Sequence, residues 1–139
     1  MCMFDEYFTG SFSIALENVV YNKLDEIEGE VSLRIDDVLE IKENKTNVEN
    51  ITAIITRSFS FEPKSLVEVS VSFEVVLELN DKYKNSDKLD LSLIRKELIS
   101  EDSVIMSIVM SRISLLISQL TSSYGERPIV TPPSFMESE

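Results

Sequence analysis

The chain is expected to fold as an α+β domain, with a four-stranded antiparallel sheet packed on one face by a short and a long C-terminal helix. Three features predict this. Four segments before residue 80 alternate apolar and polar side chains with period two, as half-buried strands do. Two later segments carry apolar residues at helical spacing. Polar or proline-bearing breaks separate the segments. With 139 residues, 43% of them hydrophobic and 27% charged, the chain has the size and composition of one globular domain. That domain spans 1–139, with strands over about 10–79, helices over about 90–124 and an extended tail over 126–139.

The first strand, about 10 to 21, sets Phe12, Ile14 and Leu16 against Ser13, Ala15 and Glu17. The second, about 30 to 42, places Val31, Leu33, Ile35, Leu39 and Ile41 opposite Ser32, Arg34, Asp36, Glu40 and Lys42. Asn44 to Asn47 reads as the polar turn into a third strand, about 50 to 62. There Ile51, Ala53, Ile55, Phe59 and Phe61 alternate with Thr52, Thr56, Ser58, Ser60 and Glu62. The fourth strand is the most regular: Val67, Val69, Val71, Phe73, Val75, Leu77 and Leu79 face one way, and Glu68, Ser70, Ser72, Glu74 and Glu78 the other. Pro63-Lys64-Ser65 joins strands three and four as a hairpin, because Pro cannot continue a central ladder. One wet face favours antiparallel order, since parallel sheets bury both.

After a hydrophilic loop from Asn80 to Lys88 the period changes. Asp90 is placed to cap a short helix bearing Leu91, Ile94 and Leu98. Ser100 or Ser103 opens a longer helix reaching about Tyr124, stopped by Gly125 and Pro128. Pro132 and Pro133 require an extended tail.

The long helix contains one charged side chain, Arg112, between residues 103 and 123. A helix lying on a protein surface normally shows charges on its outer face. Here the outer strip carries Ser107, Ser111, Ser114 and Ser118, small residues that let two helices approach closely. Four strands make a sheet about 19 Å wide, while one helix covers only about 10–12 Å. Three readings stand side by side: a membrane span, which Arg112 and the serines oppose; a helix of a monomer presenting serine to water; and a helix buried on both sides, by its own sheet and by other subunits of a homodimer or homotetramer. The last places Ser107, Ser111, Arg112, Ser114 and Ser118 at the oligomer interface, with Arg112 paired.

Composition restricts function. A net charge of −12 opposes binding to nucleic acid and to anionic membrane surfaces. The absence of histidine excludes His-based catalytic triads and His-ligated metal sites. Three scattered glycines build no phosphate-cradling loop, and Cys2 has no cysteine to pair with. Asp5 and Glu6 interrupt any secretory signal, so the expected location is cytoplasmic. No catalytic, cofactor or metal site is expected, and the chain reads as a binding protein rather than an enzyme.

The stretch SRISLLISQLTSSYGERPIVTPPSF, with VEVSVSFEVVLEL upstream, resembles the end of the SecB family of protein-export chaperones. In that family an arginine-bearing helix leads through a Gly-containing turn into an extended segment ending in a proline, a short spacer and an aromatic. The matching positions here are Arg112, Gly125, Pro128, Pro132 or Pro133, and Phe135. The likeness covers about residues 10 to 135 and is specific over the last 25 or so. It implies the sheet-and-helix architecture above, assembled as a dimer of dimers. It also implies an ATP-independent holdase that binds unfolded or precursor polypeptides for export and passes them to a SecA-type motor. By position, Glu68, Glu74 and Glu78 would form the acidic docking face for the motor. Candidate client-binding residues are Ile54, Val76, Phe59, Phe61, Ile129, Val130 and Phe135, with Ile54 and Val76 standing out because they interrupt the polar face of adjacent strands. The chain departs from the family in having no tryptophan, and in ending at Glu139 without the terminal helix placed beside the client groove. The alternative is therefore a SecB-fold adaptor or assembly subunit for one specific protein, such as a toxin–antitoxin component.

Overall fold

The computed structural model describes residues 7–42, 49–83, 90–100, 103–122 and 128–136. Four strands form one antiparallel sheet: β1 (Phe8–Lys23), β2 (Ser32–Lys42), β3 (Asn50–Glu62) and β4 (Val67–Leu79). Two helices follow, α1 (Leu91–Ile99) and α2 (Val104–Ser122). The sheet order is β1-β4-β3-β2. Strands β2, β3 and β4 make a meander, while β1 crosses over to pair with β4 and leaves β1 and β2 as the two edges.

Period two decides which face is inside. On β4, Val67, Val69, Val71, Phe73, Val75, Leu77 and Leu79 are all buried, and on β3 so are Ile51, Ala53, Ile55 and Phe59. The register aligns them in rows, for example Leu39, Ile55 and Phe73. Ile94 and Leu98 of α1 close over this face, as do Ile105, Met106, Val109, Met110, Ile113 and Ile117 of α2. Each fully buried aliphatic side chain stabilises the fold by about 1.5–3 kcal/mol, so these two layers are the main source of stability.

Local chemistry sets the element ends. The Asp90 carboxylate accepts the backbone N–H groups of Ser92 and Leu93 at 3.1 and 3.2 Å and caps α1. The Ser92 hydroxyl, and then those backbone donors, hold the Asp90 carboxyl below its ordinary value. Ser103 performs the same task for α2, its hydroxyl accepting the Met106 N–H at 3.1 Å. In the β3–β4 hairpin, Leu66 takes φ 63°. Its N–H donates to Asp25 and its carbonyl accepts from Leu24, which ties the hairpin to the exit of β1.

On β1 a register shift between Leu16 and Asn18 changes the phase of the strand. Phe12, Ile14 and Leu16 share the helix side before it, and Val19 and Tyr21 take that side after it. Helix α2 packs over β4. Phe12 (41%), Leu16 (52%) and Leu33 (43%) remain exposed although all three lie on the helix side. The expected end of α2 at Tyr124 and Gly125 lies outside the described residues, and the helix is described to Ser122.

Candidate functional site

Arg57 and Asp37 sit where the sequence pattern calls for apolar side chains, between Ile55 and Phe59 on β3 and between Ile35 and Leu39 on β2. They are direct cross-strand partners. Both side chains are fully buried, and they meet side-on: Arg57 Nε–H donates to Asp37 Oδ1 and Nη2–H to Oδ2, each at 2.7 Å. An unpaired charge in this position would be severely destabilising, whereas the fork matches a carboxylate in both distance and plane.

The other guanidinium donors hold the C-terminal tail. Nη1–H groups reach Thr131 Oγ1 at 3.0 Å and the Pro132 carbonyl, and Nη2–H reaches the Ser134 carbonyl at 2.8 Å. All five N–H groups of Arg57 are thereby used. Asp37 Oδ2 also accepts the Met136 N–H at 2.7 Å. From the helix side, the Ser114 hydroxyl donates to the Thr131 carbonyl at 2.6 Å. Thr121 Oγ1 accepts the Ile129 N–H at 2.7 Å while donating back to the Ile117 carbonyl. Two strands and α2 thus grip residues 129–136 almost wholly through main-chain atoms. Among the described residues no buried side-chain N or O lacks a partner. At the end of the tail, Pro133 and Phe135 line a cleft against Ile99, Ser103, Met106 and Ser107.

These placements revise the serine strip. Ser107, Ser111 and Arg112 are exposed and Ser118 is half-buried, so they do share an outer strip with exposed Val104 (70%) and Leu115 (60%). Ser114 does not belong to it. It is buried and committed to the tail of its own chain, because the tail lies along that edge of the helix. Arg112 is exposed and needs no buried partner in the single chain. By length and composition α2 matches a membrane span, yet its Ile113 and Ile117 are fully buried against the sheet.

The opposite face of the sheet is open. Across its centre the register aligns Glu40, Ile54 and Glu74 in one row and Lys42, Thr52 and Val76 in the next, with Glu78 beside Asn50. Ile54 and Val76 therefore lie beside Glu74 and Glu78. Ile54, flanked in its row by Glu40 and Glu74, is only 8% exposed, contrary to the expectation of an accessible apolar group. Glu68 is half-buried, bonded to Asn22 at 3.3 Å and 3.9 Å from Lys64. At the β2 end, Arg34 bridges Glu62 and Asp36, and the hydrogen bond it donates to Glu62 leads in raising its guanidinium above the ordinary value. The remaining client candidates divide. Phe59 is a core residue, which corrects its candidacy for contact with a client; Phe61, Ile129 and Phe135 are half-buried against the core, and Val130 is exposed.

Sequence reasoning missed Asp37, Arg57, Thr121 and Thr131. The signal was present: two opposite charges, each occupying an apolar-phase position in adjacent strands.

A four-stranded antiparallel sheet in the order 1-4-3-2, backed by a short and a long helix with an extended tail, defines a SecB-like α+β fold. In agreement, the chain superposes on a SecB-like chaperone of Mycobacterium tuberculosis, Rv1957, with a TM-score of 0.64 over 86% of each chain at 7% identity. That structure was solved in complex with a ChAD peptide from the HigA1 antitoxin. No family model matches the sequence, and no curated protein matches it.

Proposed function

We propose that this chain is a non-enzymatic, ATP-independent chaperone that binds non-native polypeptides in the cytoplasm and works as a homo-oligomer. The observation that carries this reading is a SecB-like fold whose helices leave apolar residues on the helix side of the sheet exposed. Phe12, Leu16 and Leu33 on the rims, and Val104 and Leu115 on α2, stay uncovered. Apolar groups on the helix side of a sheet suit either a second subunit or a non-native segment, and a surface rimmed by polar residues marks such contacts. In this reading Ser107, Ser111, Arg112 and Ser118 line the subunit contact, giving a homodimer or homotetramer. The acidic open face, with Glu68, Glu74 and Glu78, docks a basic partner protein, and a SecA-type translocase motor fits that chemistry. Val130 is exposed and Val76 half-buried, and both serve as client contacts in this reading.

The antitoxin peptide bound by the Mycobacterium tuberculosis relative favours a second reading, in which the chain serves as an adaptor for one dedicated protein. Aggregation of a chemically unfolded reporter protein, followed by light scattering without nucleotide, tests the first. Suppression at equimolar oligomer is expected, and unaltered aggregation would count against chaperoning. Affinity capture separates the two readings, since a spread of unfolded clients marks a chaperone and a single partner marks an adaptor.

A further inference from the structure

Residues 129–136 are held as a bound peptide is held. Of the six tail atoms engaged by Asp37, Arg57, Ser114 and Thr121, five are main-chain groups, namely the Ile129 and Met136 N–H and the Thr131, Pro132 and Ser134 carbonyls. Only Thr131 Oγ1 is a side-chain atom. Such a surface recognises an extended backbone largely irrespective of sequence. Its floor is chemically selective nonetheless. A guanidinium only donates, so the positions above Arg57 must present acceptors, here the Pro132 and Ser134 carbonyls and the Thr131 hydroxyl oxygen. Pro132 suits that floor because it brings a carbonyl without an N–H group, and a Pro132-Pro133 segment is already extended before it binds. The site is built in advance: the Arg57 and Asp37 side chains are fully buried and fixed to one another by two 2.7 Å bonds. Beyond it, Ile129 and Phe135 pack against the core and supply apolar anchors.

We infer that the Asp37–Arg57 clamp, with Ser114 and Thr121, is a recognition site for extended, proline-containing polypeptide. The chain's own tail occupies it in cis, so the tail acts as a resident competitor that sets how readily an incoming segment binds. The inference rests on the reading of the chain as a polypeptide binder, and it gives that reading a site distinct from the exposed rims and the open face.

The probe is a fluorescent synthetic nonapeptide with the sequence of residues 128–136, PIVTPPSFM, titrated by anisotropy against the full-length chain. Ile129→Ala/Phe135→Ala loosens the resident tail without touching the clamp, since both side chains are its partly buried anchors. This variant is expected to bind the peptide at least about tenfold more tightly than the unaltered chain. Adding Asp37→Leu/Arg57→Met should abolish that binding. Should the quadruple variant fail to fold by circular dichroism, Arg57→Lys in the loosened chain serves instead. It keeps the charge but has three donors and no fork, and about a tenfold weakening is expected. Equal binding by the loosened and unaltered chains, or binding indifferent to the change at Arg57, would overturn the inference. Parallel titration with a permanently unfolded protein distinguishes the two levels. If that protein binds and the nonapeptide does not, the clamp is purely structural and polypeptide binding lies elsewhere. If neither binds, the functional reading itself fails.

Discussion

Replacing Arg57 with Met is the sharpest probe of how this fold holds its C-terminus. The substitution leaves the Asp37 carboxylate buried without its partner, and it strips the Pro132 and Ser134 carbonyls of their donors. Breaking a buried pair from one side costs about 3–5 kcal/mol. Unfolding entropy of about 2.1 cal/mol/K per residue makes each kcal/mol worth roughly 3–4 °C in a chain of this length, so Tm should fall by roughly 10–17 °C. The double replacement Asp37→Leu/Arg57→Met removes both charges and should recover at least half of the loss, because the uncompensated carboxylate is the larger part of the penalty. Urea denaturation of the native chain, both single variants and the double variant closes the cycle. Hydrogen exchange at the Ile129 and Met136 amides reports tail release directly, since both N–H groups are bonded in the docked state. A loss under about 1 kcal/mol for Arg57→Met, or a double variant no more stable than the single, would refute the role assigned to the pair.

The two central serines of α2 should behave oppositely. Ser111→Lys is expected to lower the assembled mass in light scattering while leaving Tm nearly unchanged, because Ser111 is exposed; Ser114→Lys should destabilise the subunit itself by at least about 3 kcal/mol, because it buries a charge beneath the tail. Leu66→Val should cost about 1 kcal/mol or more in urea denaturation, since a β-branched side chain tolerates φ 63° poorly. Asp90→Ala should weaken α1 at neutral pH. The folded carboxyl lies below its ordinary value, so its stabilisation is present above the unfolded-state pKa and is lost as pH falls through the folded one. The stability difference from the native chain should therefore vanish under acid, and a difference independent of pH would contradict the cap.

The strands were readable because one face of the sheet is buried and the other wet, so period two survives in Val67 through Leu79 with every alternate residue apolar. Helix α1 was readable from Asp90 and the spacing of Leu91, Ile94 and Leu98, which are local features. The Asp37–Arg57 pair left a trace, two opposite charges in the apolar phase of adjacent strands. The tail that completes the clamp was not readable, because it lies about 75 residues away in sequence and no local pattern encodes that contact. Ser114 illustrates the same difficulty. Its helical phase matches Ser107 and Ser111, and only the path of the tail at Thr131 decides that it faces inward. On β1, the register shift after Leu16 redirects Val19 and Tyr21 through backbone geometry rather than composition. At the rims of the sheet Phe12, Leu16 and Leu33 are left exposed on the helix side.

Binding of a permanently unfolded polypeptide, measured by isothermal titration calorimetry without nucleotide at two temperatures, speaks most directly to what this protein does. Saturable binding with a negative heat-capacity change is expected, because uncovered apolar surface would be buried on association, and the folded form of the same polypeptide should give no heat. Absence of binding to the unfolded form, or equal binding to both forms, would contradict a chaperone function.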